Sequence, residues 1–278
     1  MVDNDSQQLG LSGVAHTMLT TMAVRAKETA SARALISDPL AVEIIQRLER
    51  EQPELLPEPN EATFRGVVAR TLVIDEEIAT FLAAHPQGRV INLGAGLDTR
   101  PWRLGTPQTA WVNADLPPVI NARRRLLPAS QRVTDIAVDL CKPQWADQIP
   151  LSDAPTLILL EGLLIFLPEE CVNQLWQTIA ARFPGATVVA DLLSDLAVGK
   201  SQFAASVHKQ GVQFTWGVAT GKNVSELHPE FIWLHETNLA DKFHLIAPPH
   251  LLEDLPGLRR MSNNVATFTI TSSSALAG

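Results

Sequence analysis

The sequence predicts an α/β protein in which an open, mostly parallel sheet follows a helical N-terminal segment. Three observations carry this prediction. Short, continuously apolar runs recur between Val90 and Leu192, each separated from the next by a stretch of helical or turn character. The residues before Arg89 show no strand alternation, only apolar positions at helical spacing. Gly94-Ala95-Gly96 directly follows the first apolar run, as a strand-to-helix turn at a ligand cleft does.

Composition limits the function classes. The 278 residues are 46% hydrophobic and 19% charged, which supplies a large core and argues against a disordered chain. A formal net charge of −8 repels a phosphate backbone, so no nucleic-acid partner is expected. The one dense basic run, Arg123-Arg124-Arg125, falls in a helical pattern and reads as a solvated helix face. Cys141 and Cys171 lie far apart without CxxC spacing. They predict neither a disulfide framework nor a zinc site, and favour a reduced, cytoplasmic setting. The opening MVDNDSQQLG is polar and acidic, unlike a signal peptide. The longest apolar run, 156–167, is too short to span a bilayer and is broken by Glu161, so no membrane residence is expected.

The elements follow in order. Residues 17–35 read as a helix, a second helix starts at Asp38-Pro39 and runs to about Leu48, and 63–84 read as a third. Between the last two, 51–61 hold three prolines and four acids and read as a loop. Residues 1–85 are therefore expected to form a helical cap, and 86–278 the ligand-binding domain. In the latter, strands are expected at 90–93, 110–114, 133–138, 156–160 and 186–192. Helices fit 117–127 and 168–183, the second stopped by Pro184-Gly185. A sixth strand is expected at 244–247 and a late, antiparallel edge strand at 264–271. The irregular stretch 194–239 reads as an insertion that caps the site.

In a parallel sheet the ligand lies beyond the carboxyl ends of the strands, so the residues just after each strand carry the functional reading. After the first come Gly94 and Gly96, where a backbone without Cβ can turn sharply and approach a ligand. After the second comes Asp115, a carboxylate placed to accept from the two hydroxyls of a ribose, or alternatively to cap the next helix. After the third come Asp139, an acceptor for an adenine amine, and Leu140, a surface for its ring. After the fourth comes Glu161, which sits in an apolar run and needs a cation, either a ligand's ammonium or an internal Arg or Lys. The third glycine of a dinucleotide fingerprint is replaced by Thr99, and Asp98 would set a negative charge beside a pyrophosphate. S-adenosylmethionine, with an adenosine for the acids and an amino-acid end in place of phosphates, fits this ordered set better than NAD.

These residues carry a resemblance. NLGAGLDTRPWRL, ADLPPVINARRRLLP, VDL and LLEGLLIFLPEE resemble the leucine carboxyl methyltransferase family, including its bacterial branch of polyketide and small-molecule O-methyltransferases. RAKETA and ARTLVIDEEI upstream, and FTWG and HPEFIWLHE downstream, are similar to that branch. The resemblance implies a Rossmann-like class I methyltransferase sheet, seven-stranded and mostly parallel with an antiparallel last strand. It also implies S-adenosyl-L-methionine as methyl donor and a small-molecule acceptor, expected to be a carboxylate of a polyketide-like acid. By position, Arg70 resembles the arginine that binds the methionine carboxylate, which also supplies a cation near Glu161; Gly94 resembles the glycine under the methionine part, and Asp115 the ribose acid. Asp139 and Leu140 resemble the adenine contacts, and Glu161 the acid near the amino group. Either Arg25 or Lys27 matches a position that helps close the site. One departure is Phe166, where many members carry an aromatic hydroxyl; this chain has no tyrosine.

No catalytic residue is singled out. A carboxylate acceptor needs no general base, whereas a phenol would benefit from a histidine. The candidates are His208, His228 and His235, with His16 near the N-terminal helices. Phe203, Phe214 and Trp216 are expected either to line an apolar acceptor pocket or to form cap core, and Asp98 and Arg100 to pair and stiffen the glycine loop. Protein C-terminal methylation and a non-catalytic cofactor-binding role are the rival readings.

Overall fold

The computed structural model describes residues 14–200, 213–247 and 255–271. Capping chemistry fixes where the first helices begin. Asp38 accepts the Ala41 N–H and Pro39 occupies the first turn of α2 (Pro39–Glu51). Asn60 accepts the Thr63 N–H to start α3 (Glu61–Ala84). Both follow α1 (Val14–Thr29), which ends short of the expected Leu35. Leu19, Met22 and Ala26 of α1 pack with Ala41, Ile44 and Leu48 of α2 around one buried cluster.

The sheet has seven strands in the order β3-β2-β1-β4-β5-β7-β6. β1 (Arg89–Leu93), β2 (Ala110–Asp115), β3 (Val133–Ala137), β4 (Thr156–Leu160) and β5 (Thr187–Leu192) run parallel. β7 (Asn264–Ile270) is antiparallel to both β5 and β6 (Phe231–Asn238). The two-residue period of each strand sends alternate side chains to opposite faces. Val90, Leu157, Leu159 and Val189 meet Val73, Ile74 and Ile78 of α3 on one face. Ile91, Ile158, Leu160 and Val188 meet α6 (Glu169–Arg182) through Val172, Leu175 and Trp176 on the other. Each such fully buried aliphatic side chain contributes roughly 2 kcal/mol. Because α3 shares its core with the sheet, it is fixed relative to the strand ends that it overhangs.

Two elements depart from expectation. The sixth strand is 231–238, inside the stretch read as irregular. It is an edge strand paired only to β7, and a register shift between Trp233 and His235 interrupts the alternation that would have marked it. Its outer residues Ile232 and Leu234 are about half exposed. The run expected as that strand instead forms a single helical turn, Phe243–Ile246, packed on α3. Four residues, one of them a histidine, are too few for periodicity to separate the two forms.

The cysteines are the other correction. Cys141, after β3, and Cys171, in the first turn of α6, are joined by a disulfide with Cα atoms 5.0 Å apart, across a sequence separation of 30. Spacing did not reveal it because the loop after β3 and the first turn of α6 meet only once the sheet is formed. No helix among the described residues is long and apolar enough to cross a membrane.

Closing a loop of this length predicts that Cys141→Ser or full reduction lowers unfolding free energy by about 3 kcal/mol, read by urea melts with and without reductant. Alkylation of two thiols in the denatured, unreduced protein would contradict the crosslink.

Candidate active site

A cavity of about 910 Å³ opens at the carboxyl ends of the parallel strands and is lined on its other side by α1 and α3. Helical spacing decides which residues face it. Met18, Thr21 and Arg25 of α1, and Thr63, Gly66, Val67 and Arg70 of α3, recur three or four apart on one face. Arg25 therefore lines the cavity while Lys27 lies on the exposed side, its ammonium 5.2 Å from the Phe64 ring centre. Of the two, Arg25 is the one that faces the cavity.

Ion pairs form the floor. Arg100, only 2% exposed, donates from Nε to Asp75 Oδ1 (2.6 Å) and from Nη1 to Asp98 Oδ2 (3.0 Å) and Glu161 Oε2 (2.5 Å). Arg70 donates from Nε to Glu161 Oε1 (2.9 Å) and from Nη1 to Asp191 Oδ2 (3.0 Å). Glu161 thus has its internal cations, two of them. Asp98 pairs with Arg100 as expected, and the same arginine reaches three elements. Burial alone would raise the Asp98 carboxyl, but Arg100 and then Arg25 outweigh it and hold it at about 2. Burial also opposes the charge on Glu161, and Arg100 with Arg70 reverse the effect, leaving Glu161 below the ordinary carboxylate value.

The glycine loop sits against this floor. Gly94 (φ +73°) and Gly96 (φ +46°) are in the left-handed region, and a Cβ on Gly94 would lie 2.9 Å from Leu163 Cδ1. Asp115 holds the loop, accepting the Gly96 N–H at Oδ2 (2.8 Å) and the Leu116 N–H at Oδ1 (2.7 Å). Burial pushes its carboxyl up despite those two bonds. Each oxygen keeps a lone pair for a ligand hydroxyl. Asp139 lines the cavity with Oδ1 on the Cys141 N–H (3.0 Å), and Leu140 is buried beside it. Cys141 lines the same edge, so the disulfide ties that edge to α6.

Several contributors were not legible as site residues. Asp38 is 1% exposed and binds Arg25 Nε (2.8 Å) and the Thr99 hydroxyl (2.5 Å). Thr99 in the third-glycine position therefore docks the N-terminal helices onto the loop. Arg123 corrects the reading of its run as a solvated face: it is fully buried, donating to Asp135 Oδ1 (3.1 Å) and the Gly96 carbonyl (2.8 Å). Arg124 and Arg125 are exposed. Asn92 lines the cavity; its Nδ2 donates to Asp98 Oδ2 (2.8 Å), and its Oδ1 is buried with no partner among the described residues. Asp191 could have been found by the argument used for Glu161, a carboxylate inside an apolar strand.

The histidine candidates are not brought together. His228 is buried against Trp176 and Phe231, with ring centres 6.1 and 6.4 Å away, and burial depresses its pKa. His235 lies on the edge strand with Nε2 2.9 Å from Glu77. Neither lines the cavity. His208 and Phe203 are outside the described residues, as is the side chain of His16. Trp216 belongs to the sheet core, whereas Phe214 lines the cavity with Phe166, ring centres 6.0 Å apart.

Chemically, the floor offers both a guanidinium and carboxylates within one small region, which matches a zwitterionic amino-acid group, and the acids at β2 and β3 suit a nucleoside. Two outcomes follow from the ion pairs. Arg100→Met, which leaves three carboxylates short of a partner, is expected to cost about 3–5 kcal/mol in a urea melt. Because Asp98 and Glu161 titrate below their unfolded values, their stabilisation is complete above about pH 5 and is lost as pH falls toward 2. Unfolding free energy measured over that window should drop by about 2 kcal/mol for Asp98 alone.

Known proteins bear on this arrangement. The leucine carboxyl methyltransferase family profile matches residues 18–180. The tetracenomycin polyketide synthesis O-methyltransferase TcmP of Streptomyces glaucescens is 26% identical over 84% of this chain and 86% of its own length. A Mycolicibacterium gilvum protein described as an S-adenosyl-L-methionine-dependent methyltransferase is 33% identical over 68% of each chain. Among solved structures, a Thermobifida fusca protein described as a methyltransferase superposes with a TM-score of 0.60 at 15% identity, covering 95% of this chain and 97% of that one. Magnesium protoporphyrin IX methyltransferase of Synechocystis PCC 6803, with S-adenosylhomocysteine bound, gives 0.51 at 11% over 83% and 94%; both show the shared fold. With a profile match over more than half its length and a sheet of this order, the chain belongs to the leucine carboxyl methyltransferase family and is an S-adenosyl-L-methionine-dependent methyltransferase.

Proposed function

We propose that the enzyme methylates a carboxylate oxygen of a small, largely apolar acid of polyketide type and releases its methyl ester. The observation that carries this is the two-part cavity. Beyond the polar floor its wall becomes apolar, built from Leu163, Ile165, Phe166, Leu193, Ala197 and Phe214. Among the described residues no histidine lines it, and an acid already ionised at neutral pH needs no base.

The residues present fit S-adenosylmethionine. Glu161 lines the floor as the acid for the methionine ammonium, and Asn92 lines it beside Asp98. Arg70 uses Nε and Nη1 internally and keeps Nη2 for the methionine carboxylate; Gly162, whose Cβ would come within 3.4 Å of Nη1, leaves the guanidinium room. In this reading Gly94 and Gly96 lie under the methionine part, Asp115 binds the ribose hydroxyls, Asp139 the adenine amine, and Leu140 the ring. Arg25 closes the site with α1, and Asp191 positions Arg70. The bound donor supplies an activated methyl group, so the protein's work is alignment and exclusion of water.

Calorimetry with S-adenosylmethionine is expected to show saturable binding, weakened roughly tenfold or more in Asp115→Asn, which keeps a side-chain oxygen to accept from the loop but loses the carboxylate. Radiolabel from the methyl group should transfer to a free aromatic acid and be released as methanol by base, as an ester releases it. No binding at millimolar cofactor by folded protein, or a base-stable product, overturns the proposal. Preferential transfer to a peptide C-terminus would instead identify a protein carboxyl methyltransferase.

A further inference from the structure

Among the described residues four cations line the cavity, and three of them are already committed. Arg25 is held by Asp38, Arg70 by Glu161 and Asp191, and Arg100 by Asp75, Asp98 and Glu161. The fourth, Lys200, has no carboxylate partner among the described residues. The cavity's own acids, Asp98, Asp115, Asp139 and Glu161, all sit at the ends of β1 to β4 or in the glycine loop. Lys200 is on the other side. It follows Ala197, and Ala197 packs with Ile165, Leu193, Phe166 and Phe214 in the apolar wall. Its backbone is pinned there: Lys200 N–H donates to Ala197 O (3.0 Å), and the preceding Gly199, at φ +72°, donates to Phe214 O (2.9 Å).

We infer that Lys200 is the specificity-determining residue for the acceptor, its ammonium holding the carboxylate of an apolar acid whose body lies against Phe166 and Phe214. The inference rests on the carboxylate-methylation reading and assigns that site its selective charge. Lys200 is exposed at the edge of the cavity, and the wall beside it, Ile165, Phe166, Leu193, Ala197 and Phe214, carries no charge, so an anion seated against that wall meets this ammonium as its charged partner while a neutral analogue does not. Methylation then changes what Lys200 sees. One carboxylate oxygen forms the new bond to the methyl carbon as the carbon–sulfur bond breaks with its electron pair on sulfur. No proton moves, and the acceptor loses its negative charge. The ester no longer pairs with Lys200, so the same residue that selects the acid favours departure of the product.

The test is binding to the enzyme saturated with S-adenosylhomocysteine, using 2-naphthoate and methyl 2-naphthoate as acid and ester probes in isothermal titration calorimetry. The wild type is expected to bind the acid at least roughly tenfold more tightly than the ester. Lys200→Met should abolish that preference, Lys200→Arg should retain most of it, and neither should move S-adenosylhomocysteine affinity, which also reports that the variants are folded. An acid preference unchanged in Lys200→Met overturns the inference. So does a wild type that binds S-adenosylhomocysteine but shows no preference, or no acid binding at millimolar concentration. Failure of the folded wild type to bind S-adenosylhomocysteine overturns the methyltransferase site on which the inference stands, and is read before either probe is added.

Discussion

The site is organised by the buried ion pairs of Arg100. One guanidinium reaches Asp75 on α3, Asp98 in the glycine loop and Glu161 at the end of β4, and so joins three segments far apart in sequence. Each of those carboxylates is costly to bury alone. Together with Arg70 they become a neutralised floor that stays charged at ordinary pH, because the arginines hold Asp98 and Glu161 ionised. The geometry of the amino-acid end of the cavity follows from that arrangement, and so does the placement of Asn92, whose Nδ2 donates to Asp98 and whose Oδ1 is buried with no partner among the described residues.

A second hub couples the N-terminal helices to the loop. Asp38 both caps α2 and receives Arg25 and Thr99, so the residue that starts a helix also fixes how α1 meets Gly94-Ala95-Gly96. Leu97 O accepts from the same Arg25 (2.9 Å). The cavity is therefore built between the strand ends and α1 and α3, and loss of the cap would be felt at the site as well as in α2. Arg123 works from the other side, holding the Gly96 carbonyl and drawing on Asp135. Backbone turns that only glycine adopts readily are thus surrounded by side chains that hold them in place.

The cavity divides its chemistry by position. Charges of both signs lie at the strand ends, where the donor is proposed to bind, and apolar side chains lie toward 163–166, 193–197 and Phe214. Two of the histidine candidates serve other contacts: His228 fills aromatic core and His235 pairs with Glu77 at the sheet edge.

The parallel core, the glycine turn and the ordered acids after β1 to β4 were legible from the sequence alone, because each rests on local chemistry. Continuous apolar runs mark strands buried on both faces, and a glycine pair or a strand-end acid is recognised where it stands. What the chain does with those residues was decided by tertiary structure. Glu161 demanded a cation, and the resemblance offered Arg70, 91 residues away; only the fold adds Arg100, 61 residues away, and joins both to it. The edge strand at 231–238, the buried Arg123, the Thr99–Asp38 link and the Cys141–Cys171 bridge escaped for the same reason. Each depends on which surfaces the sheet brings together, and partners at long sequence separation leave no periodic or compositional trace.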